Sequence, residues 1–287
     1  MSSTDKELPV TVYSPESGVQ KLGPLILDTV KSLGDSWGLG WRLFRRNMKA
    51  MYRQSLLGLV WAFIPPLMTT LVWVFLNGQR IINIEDPGVP YPAFVLTSTL
   101  LWSMFAQSLI MPNQAVTSGK SILVKINFNR ESLLVAGFLQ VAFDFCIKLV
   151  LIAGVFIVFR IPPSLTMLLA PFGVFALVLL GTSLGLLVLP VGMLYQDVQR
   201  LLTSFLPFWM LLTPVIYPAP REGFATLLNT YNPVSPVLIL TRDWLFGSAQ
   251  VATGGFWLIL GVTIVLTFIG LILYRLAIPF IIERSGS

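Results

Sequence analysis

The sequence predicts an all-α polytopic membrane protein of six transmembrane helices, and three observations predict it. Of 287 residues, 55% are hydrophobic and only 11% charged, where a soluble domain carries about a quarter charged. Six apolar stretches reach or approach the roughly 20 residues that cross a bilayer. With the spans alternating in direction, fourteen Lys and Arg fall in segments on the same side of the membrane as the N-terminus and four on the other, the asymmetry that marks a cytoplasmic face.

Composition also excludes. With one cysteine and no histidine there is no internal disulfide, no Ser-His-Asp triad and no His-containing metal site. No catalytic residue, metal ligand or cofactor is expected in this chain. The net charge of +6 is not a nucleic-acid signal, because the cations cluster beside apolar spans. No signal peptide is expected, since residues 1–36 hold acids, prolines and only short apolar runs.

In order, residues 1–36 read as a polar cytoplasmic leader in which Leu22–Leu33 is expected to form one short helix. Residues 37–55 read as an amphipathic helix. On a helical wheel Trp37, Trp41, Phe44, Met48, Met51 and Tyr52 share one side, and Arg42, Arg45, Arg46, Lys49 and Arg53 the next. Such a helix lies in the membrane interface, its cations on anionic head groups. The membrane domain follows over 56–280. Span one, Leu56–Leu76, carries no charge and is expected to kink at Pro65-Pro66.

Span two is read over Ala93–Met111 and a polar loop over Pro112–Glu131. Span three covers Leu133–Phe159. Span four covers Leu165–Leu189, with Gly181 and Gly185 at the spacing that lets helices approach closely. Span five is read over Leu201–Ile216. Residues 217–253 hold two apolar pieces too short to cross, broken by Asn232-Pro233 and Pro236, which predicts an external re-entrant segment. Span six covers Phe256–Phe280, and 281–287 is a cytoplasmic tail.

Asp144 and Lys148 are the ionisable pair deep in a span, four apart and so on one helix face. An intramembrane charge pair either pins its helix against neighbours or serves transport, and the sequence leaves both open. Gln114–Ser121 (QAVTSGKS) ends like a phosphate-binding loop. It lacks the leading glycine, and an apolar span rather than a strand precedes it. If ATP drives this protein, another polypeptide is expected to bind it. Trp61, Trp73, Trp102, Trp209, Trp244 and Trp257 sit mostly near span ends, as an interfacial belt does, or could line a glycan path.

Several motifs together resemble the membrane subunits of polysaccharide ABC exporters, the type-2 export permeases. MYRQSLLGLVWAFIPPL (51–67) resembles that family's first-span motif, and ILVKINFNRESL (122–133) its cytoplasmic loop, with Asn129 in place of a common proline. VAFDF (141–145) is similar to its third-span acid. YQDVQRLL (195–202), LLTPVIYP (211–218) and YNPVSPVLILTRDWLFG (231–247) resemble its motifs around span five and before the last span. Tyr195 and Gln196 depart from the usual Phe and Arg.

The resemblance implies a homodimer in the bacterial inner membrane, both termini cytoplasmic, on a separate ATPase subunit that holds ATP and Mg. A polyprenyl-linked polysaccharide, O-antigen-like, would pass between the two copies. Val124, Lys125, Ile126, Asn127, Phe128, Asn129 and Arg130 would couple to the ATPase, and Tyr217, Asn232, Pro233 and Arg242 would belong to the external gate. The competing readings are a membrane-embedded transferase acting on lipid-linked sugars, or a permease for capsule, teichoic acid or a small molecule.

Overall fold

The computed structural model describes residues 31–53, 58–125, 129–195, 197–220, 222–247 and 254–286. Among them every regular element is helical. Helix α1 (Trp37–Arg53) is followed by a 3₁₀ turn, Gly58–Ala62, and by α2 (Ile64–Gly78). The long helices α3 (Tyr91–Lys125) and α4 (Glu131–Val158) come next. A second 3₁₀ turn, Leu165–Leu169, leads into α5 (Ala170–Leu194). Then come α6 (Asp197–Leu212), the short α7 (Phe224–Tyr231) and α8 (Val234–Leu245), and finally α9 (Gly254–Gly286).

Among the described residues, five helices are long and apolar enough to cross a membrane, over 60–78, 91–119, 131–158, 165–194 and 254–278. Helix α6 has 16 residues, about 24 Å at 1.5 Å per residue, and falls short of that length.

The core is a seam between α3 and α5. A Cβ at Gly181 or Gly185 would run into the backbone carbonyls of Phe105 and Leu109, so glycine there lets the two backbones touch. Helix α4 closes on α3 where Gly137 faces Met111, and α9 closes on α5 where Gly270 faces Leu186. Helix α8 packs on the first turns of α5, with Thr241 over Gly173. The bundle thus has two ends. One, the basic end, holds α1, the end of α3 at Lys125 and the start of α4 at Glu131; the other, the capped end, holds α7 and α8.

Helices α2 and α6 lie outside this core. In the apolar stretch of α2 6% of residues are buried, against 78% in α3. Both helices expose large side chains along their length, among them Leu71, Phe75, Phe205 and Phe208.

Three expectations are corrected. Pro65-Pro66 does not kink a span. The two prolines sit in the first turn of α2, where a missing N–H leaves no bond unmade. Span two does not stop at Met111, because α3 runs on through Pro112 to Lys125. The Pro112 ring lies against Gly185, whose lack of a side chain makes the room. Span five ends at Leu212 rather than Ile216. The last helix runs on to Gly286, past the end of its apolar stretch at Ile278. Two helices on the capped side close with arginine at positive φ, Arg80 at 54° and Arg160 at 53°. The following amides, of Ile81 and Ile161, reach back to Leu76 O and Phe156 O at 3.0 Å, a closure in which glycine is usual.

Candidate functional site

Three groups of polar side chains stand out against the apolar bundle. The first is at mid-depth. Asp144 and Lys148 lie one turn apart on α4, yet they do not join each other directly. The Gln107 amide from α3 stands between them. Its Nε2 donates to Asp144 Oδ2, and its Oε1 accepts from Lys148 Nζ at 2.9 Å. The amide donates to the anion and accepts from the cation, so neither charge is left bare. Lys148 is 9% exposed. The sequence named the two charges and missed the residue that joins them. A lone amide in an apolar run was the available signal.

A cleft of about 810 Å³ opens at the basic end and rises to this cluster. Helices α1, α3 and α4 and the α5–α6 junction wall it. Gln107, Gln114, Gln140 and Gln199 all line it, and Arg46 and Arg200 stand at its rim. From Ser118 to Gln107 it follows α3 for about 16 Å.

The second group anchors the turn between α3 and α4. Glu131 Oε1 accepts from Arg275 Nε at 2.8 Å and from Ser32 Oγ at 3.3 Å. Arg275 also bonds to Ser32. Asn129 Nδ2 donates to Ser32 O at 3.1 Å, and Tyr274 OH donates to Arg130 O at 2.8 Å. Of the expected coupling residues, Val124 and Lys125 end α3, Asn129 is exposed and Arg130 half-buried. Ile126, Asn127 and Phe128 lie outside the described residues, as does the leader up to residue 30. The remainder of the leader, 31–35, is a helical turn docked at this node.

Helix α1 lies on the basic half of α4. Gly40, Leu43 and Phe44 are buried there, Leu43 and Phe44 against Leu133 and Ala136. The helical wheel grouped Phe44 and Met48 with the tryptophans, but both turn toward α4. Trp37, Trp41 and Met51 stay exposed, as do Arg42, Arg45, Arg46, Lys49 and Arg53.

The third group is in the cap. Arg242, expected in an external loop, is 4% exposed. Its Nη1 donates to Pro214 O at 2.7 Å and to Ser98 Oγ at 3.3 Å. Its guanidinium lies 4.2 Å from the centre of the Phe94 ring, a cation–π contact. Burial lowers this guanidinium to about 10 and raises the Asp243 carboxyl, each charge partly offsetting the other's shift. Asn232 closes the α7–α8 corner. Its Nδ2 donates to Thr213 Oγ1 at 2.8 Å, and its Oδ1 accepts from Trp209 Nε1 at 3.2 Å and from Val234 N at 3.1 Å. Pro233 follows as the residue before α8, and Tyr217 OH donates to Leu211 O at 2.9 Å. The tryptophans divide accordingly: Trp61 and Trp257 are exposed, whereas Trp102 and Trp244 are buried and Trp209 meets Trp102 and Phe105 edge-on.

Comparison with known proteins adds an independent finding. A family profile described as ABC-2 type transporter matches residues 39–246. The O-antigen export system permease protein RfbA of Myxococcus xanthus is 26% identical over 71% of this chain and 79% of its own length. An RfbA of Klebsiella pneumoniae is 21% identical over 80% of this chain and 88% of its own. The polysialic acid transport protein KpsM of Escherichia coli is 24% identical over 81% of this chain and 91% of its own.

Proposed function

The chain belongs to the ABC-2 type transporter family, and from that premise we propose that it exports an O-antigen-like, polyprenyl-linked polysaccharide across the bacterial inner membrane. It is a multi-pass permease subunit, and the ATPase of this family is a separate polypeptide, which would hold ATP and Mg. The observation that carries the substrate class is that relatives aligned over most of both chains are named as O-antigen export permeases.

The finer assembly is part of the same proposal. Six spans cross the membrane, α6 together with its flanking residues being the fifth. The exposed apolar faces of α2 and α6 support a homodimer with the glycan passing between copies. The exposed tryptophans and cations of α1 support an interface helix, partly in lipid and partly on α4. Lys and Arg concentrated at the basic end support cytoplasmic termini. Residues Val124–Arg130 rest on the ATPase, and the anchoring of Asn129, Arg130 and Glu131 supports a rigid base for that contact. The α7–α8 cap is an external re-entrant gate.

Deleting the chain should remove polysaccharide from the cell surface while the lipid-linked glycan accumulates inside. The purified subunit should bring with it an ATPase that turns over ATP. A surface glycan unchanged by the deletion, with no ATPase in the preparation, would overturn the proposal. KpsM-type capsule export is the second reading, and the chemistry of the polysaccharide lost from the surface distinguishes the two.

A further inference from the structure

We propose that the glutamine-lined cleft at the basic end is a carbohydrate-binding site, taking an uncharged, hydroxyl-rich stretch of two or three sugar units before the chain crosses. This rests on the reading of the protein as a glycan exporter and adds where, within one subunit, the glycan is held.

The cleft has the size of a ligand site, about 810 Å³ within the about 300–1,000 Å³ usual for such sites. Its chemistry selects the ligand. Gln107, Gln114, Gln140 and Gln199 come from three helices and converge on one space. Each amide both donates and accepts, which is what adjacent hydroxyl groups require. Gln107 spends one N–H on Asp144 and one lone pair on Lys148, which leaves a second of each for a ligand. Gln199 Oε1 is buried with no partner among the described residues. An unmatched buried amide oxygen is costly and points to a polar occupant.

The other occupants fit less well. No Asp or Glu lines the cleft, so it is no cation site. Its two cations are at the rim, so a phosphate drawn to them would stop at the mouth. An acyl chain would offer no partner to the Gln114, Gln140 and Gln199 amides or to the second N–H and lone pair of Gln107. Met111, Met193 and Val141 between the amides offer apolar patches that suit the C–H faces of sugar rings.

The test places a benzophenone amino acid at Gln140, at Thr117 and, as a lipid-facing control, at Val150, which is 65% exposed. The assembled transporter is illuminated in cells that make the glycan, purified under denaturing conditions and stained for carbohydrate by periodate oxidation. Carbohydrate adducts at least tenfold stronger from Gln140 and Thr117 than from Val150 are expected. Adducts carrying phospholipid alone, or carbohydrate in equal amounts at all three, would overturn the site. Gln140→Leu and Gln114→Leu should each lower surface glycan at least fivefold at unchanged subunit abundance and ATPase association, and normal export from both would overturn it too. If export needs this chain but the cleft adducts hold no sugar, only the site falls. If export does not need the chain, the exporter reading falls with it.

Discussion

The two ends of this bundle handle a buried cation in opposite ways. At the capped end Arg242 is fully engaged. It holds a carbonyl from beyond α6, a hydroxyl on α3 and an aromatic face, and it draws together segments up to 148 positions apart. At mid-depth Lys148 has one neutral partner, Gln107, and that partner forms part of the wall of an open cleft. The first arrangement leaves nothing for a ligand to replace. The second places an exchangeable amide between the charges and the cavity. The cap is built to hold shape, and the basic half keeps an open space beside its charges.

The largest expected effect breaks the cap. Arg242→Ala removes hydrogen bonds from a charged group, about 1.5–3 kcal/mol, and leaves a void besides. The subunit should lose on the order of 3 kcal/mol or more, seen as a several-fold drop in the monodisperse species after heating in detergent. Parental behaviour would show that the cap does not depend on Arg242.

The next effect tests the mid-depth cluster, where rescue is possible. Gln107→Leu, Asp144→Asn and Lys148→Met should each cost roughly 3 kcal/mol, because each strands a buried charge. The double change Asp144→Asn with Lys148→Met should recover most of the folded subunit, whereas no second change of this kind rescues Arg242→Ala. If the double variant is abundant yet exports nothing while ATP turnover persists, the cluster serves translocation. If it is abundant and exports, the cluster is structural. Parental abundance in all three single variants would refute the coupling.

Gly185→Val should cost about 1–3 kcal/mol by overpacking, since its side chain would meet the Leu109 carbonyl and the Pro112 ring. Gly154→Val, with open space around it, is the control and should match the parent in melting temperature. The smallest effect belongs to the basic end. Glu131→Gln weakens a partly exposed ion pair and should cost about 1 kcal/mol. Its clearer sign would be faster proteolysis near Arg130, with the cap unchanged.

How much of this was legible follows from how local each feature is. Five of the six apolar runs, the Gly181–Gly185 spacing and the Asn232-Pro233 break are written within a few residues and appear near where they were expected, whereas the run read as span five forms a helix too short to count among them. Proline was legible as a residue and not as a position. Pro65-Pro66 begins a helix, and Pro112 sits within one because Gly185, 73 places on, makes space. The role of Gln107 and the burial of Arg242 were illegible for the same reason. A neutral amide has meaning only beside Asp144 and Lys148, and an arginine after an apolar run looks like a loop cation until Ser98 and Pro214 close on it.

The depth of the cleft has an electrical consequence. On the proposed orientation, with the basic end facing the cytoplasm, water entering the cleft would carry the cytoplasmic potential as far as Gln107. The membrane voltage then falls across the remaining stretch from Gln107 to Tyr91, about 24 Å of α3, and not across the whole bilayer. Moving one elementary charge through 100 mV is worth about 2.3 kcal/mol. An ion that followed the water to Gln107 would have done almost none of that work. The rest of the voltage would fall between Gln107 and the capped end, where Ser98 and Arg242 meet, which makes the cap the insulator of the subunit as well as its lock.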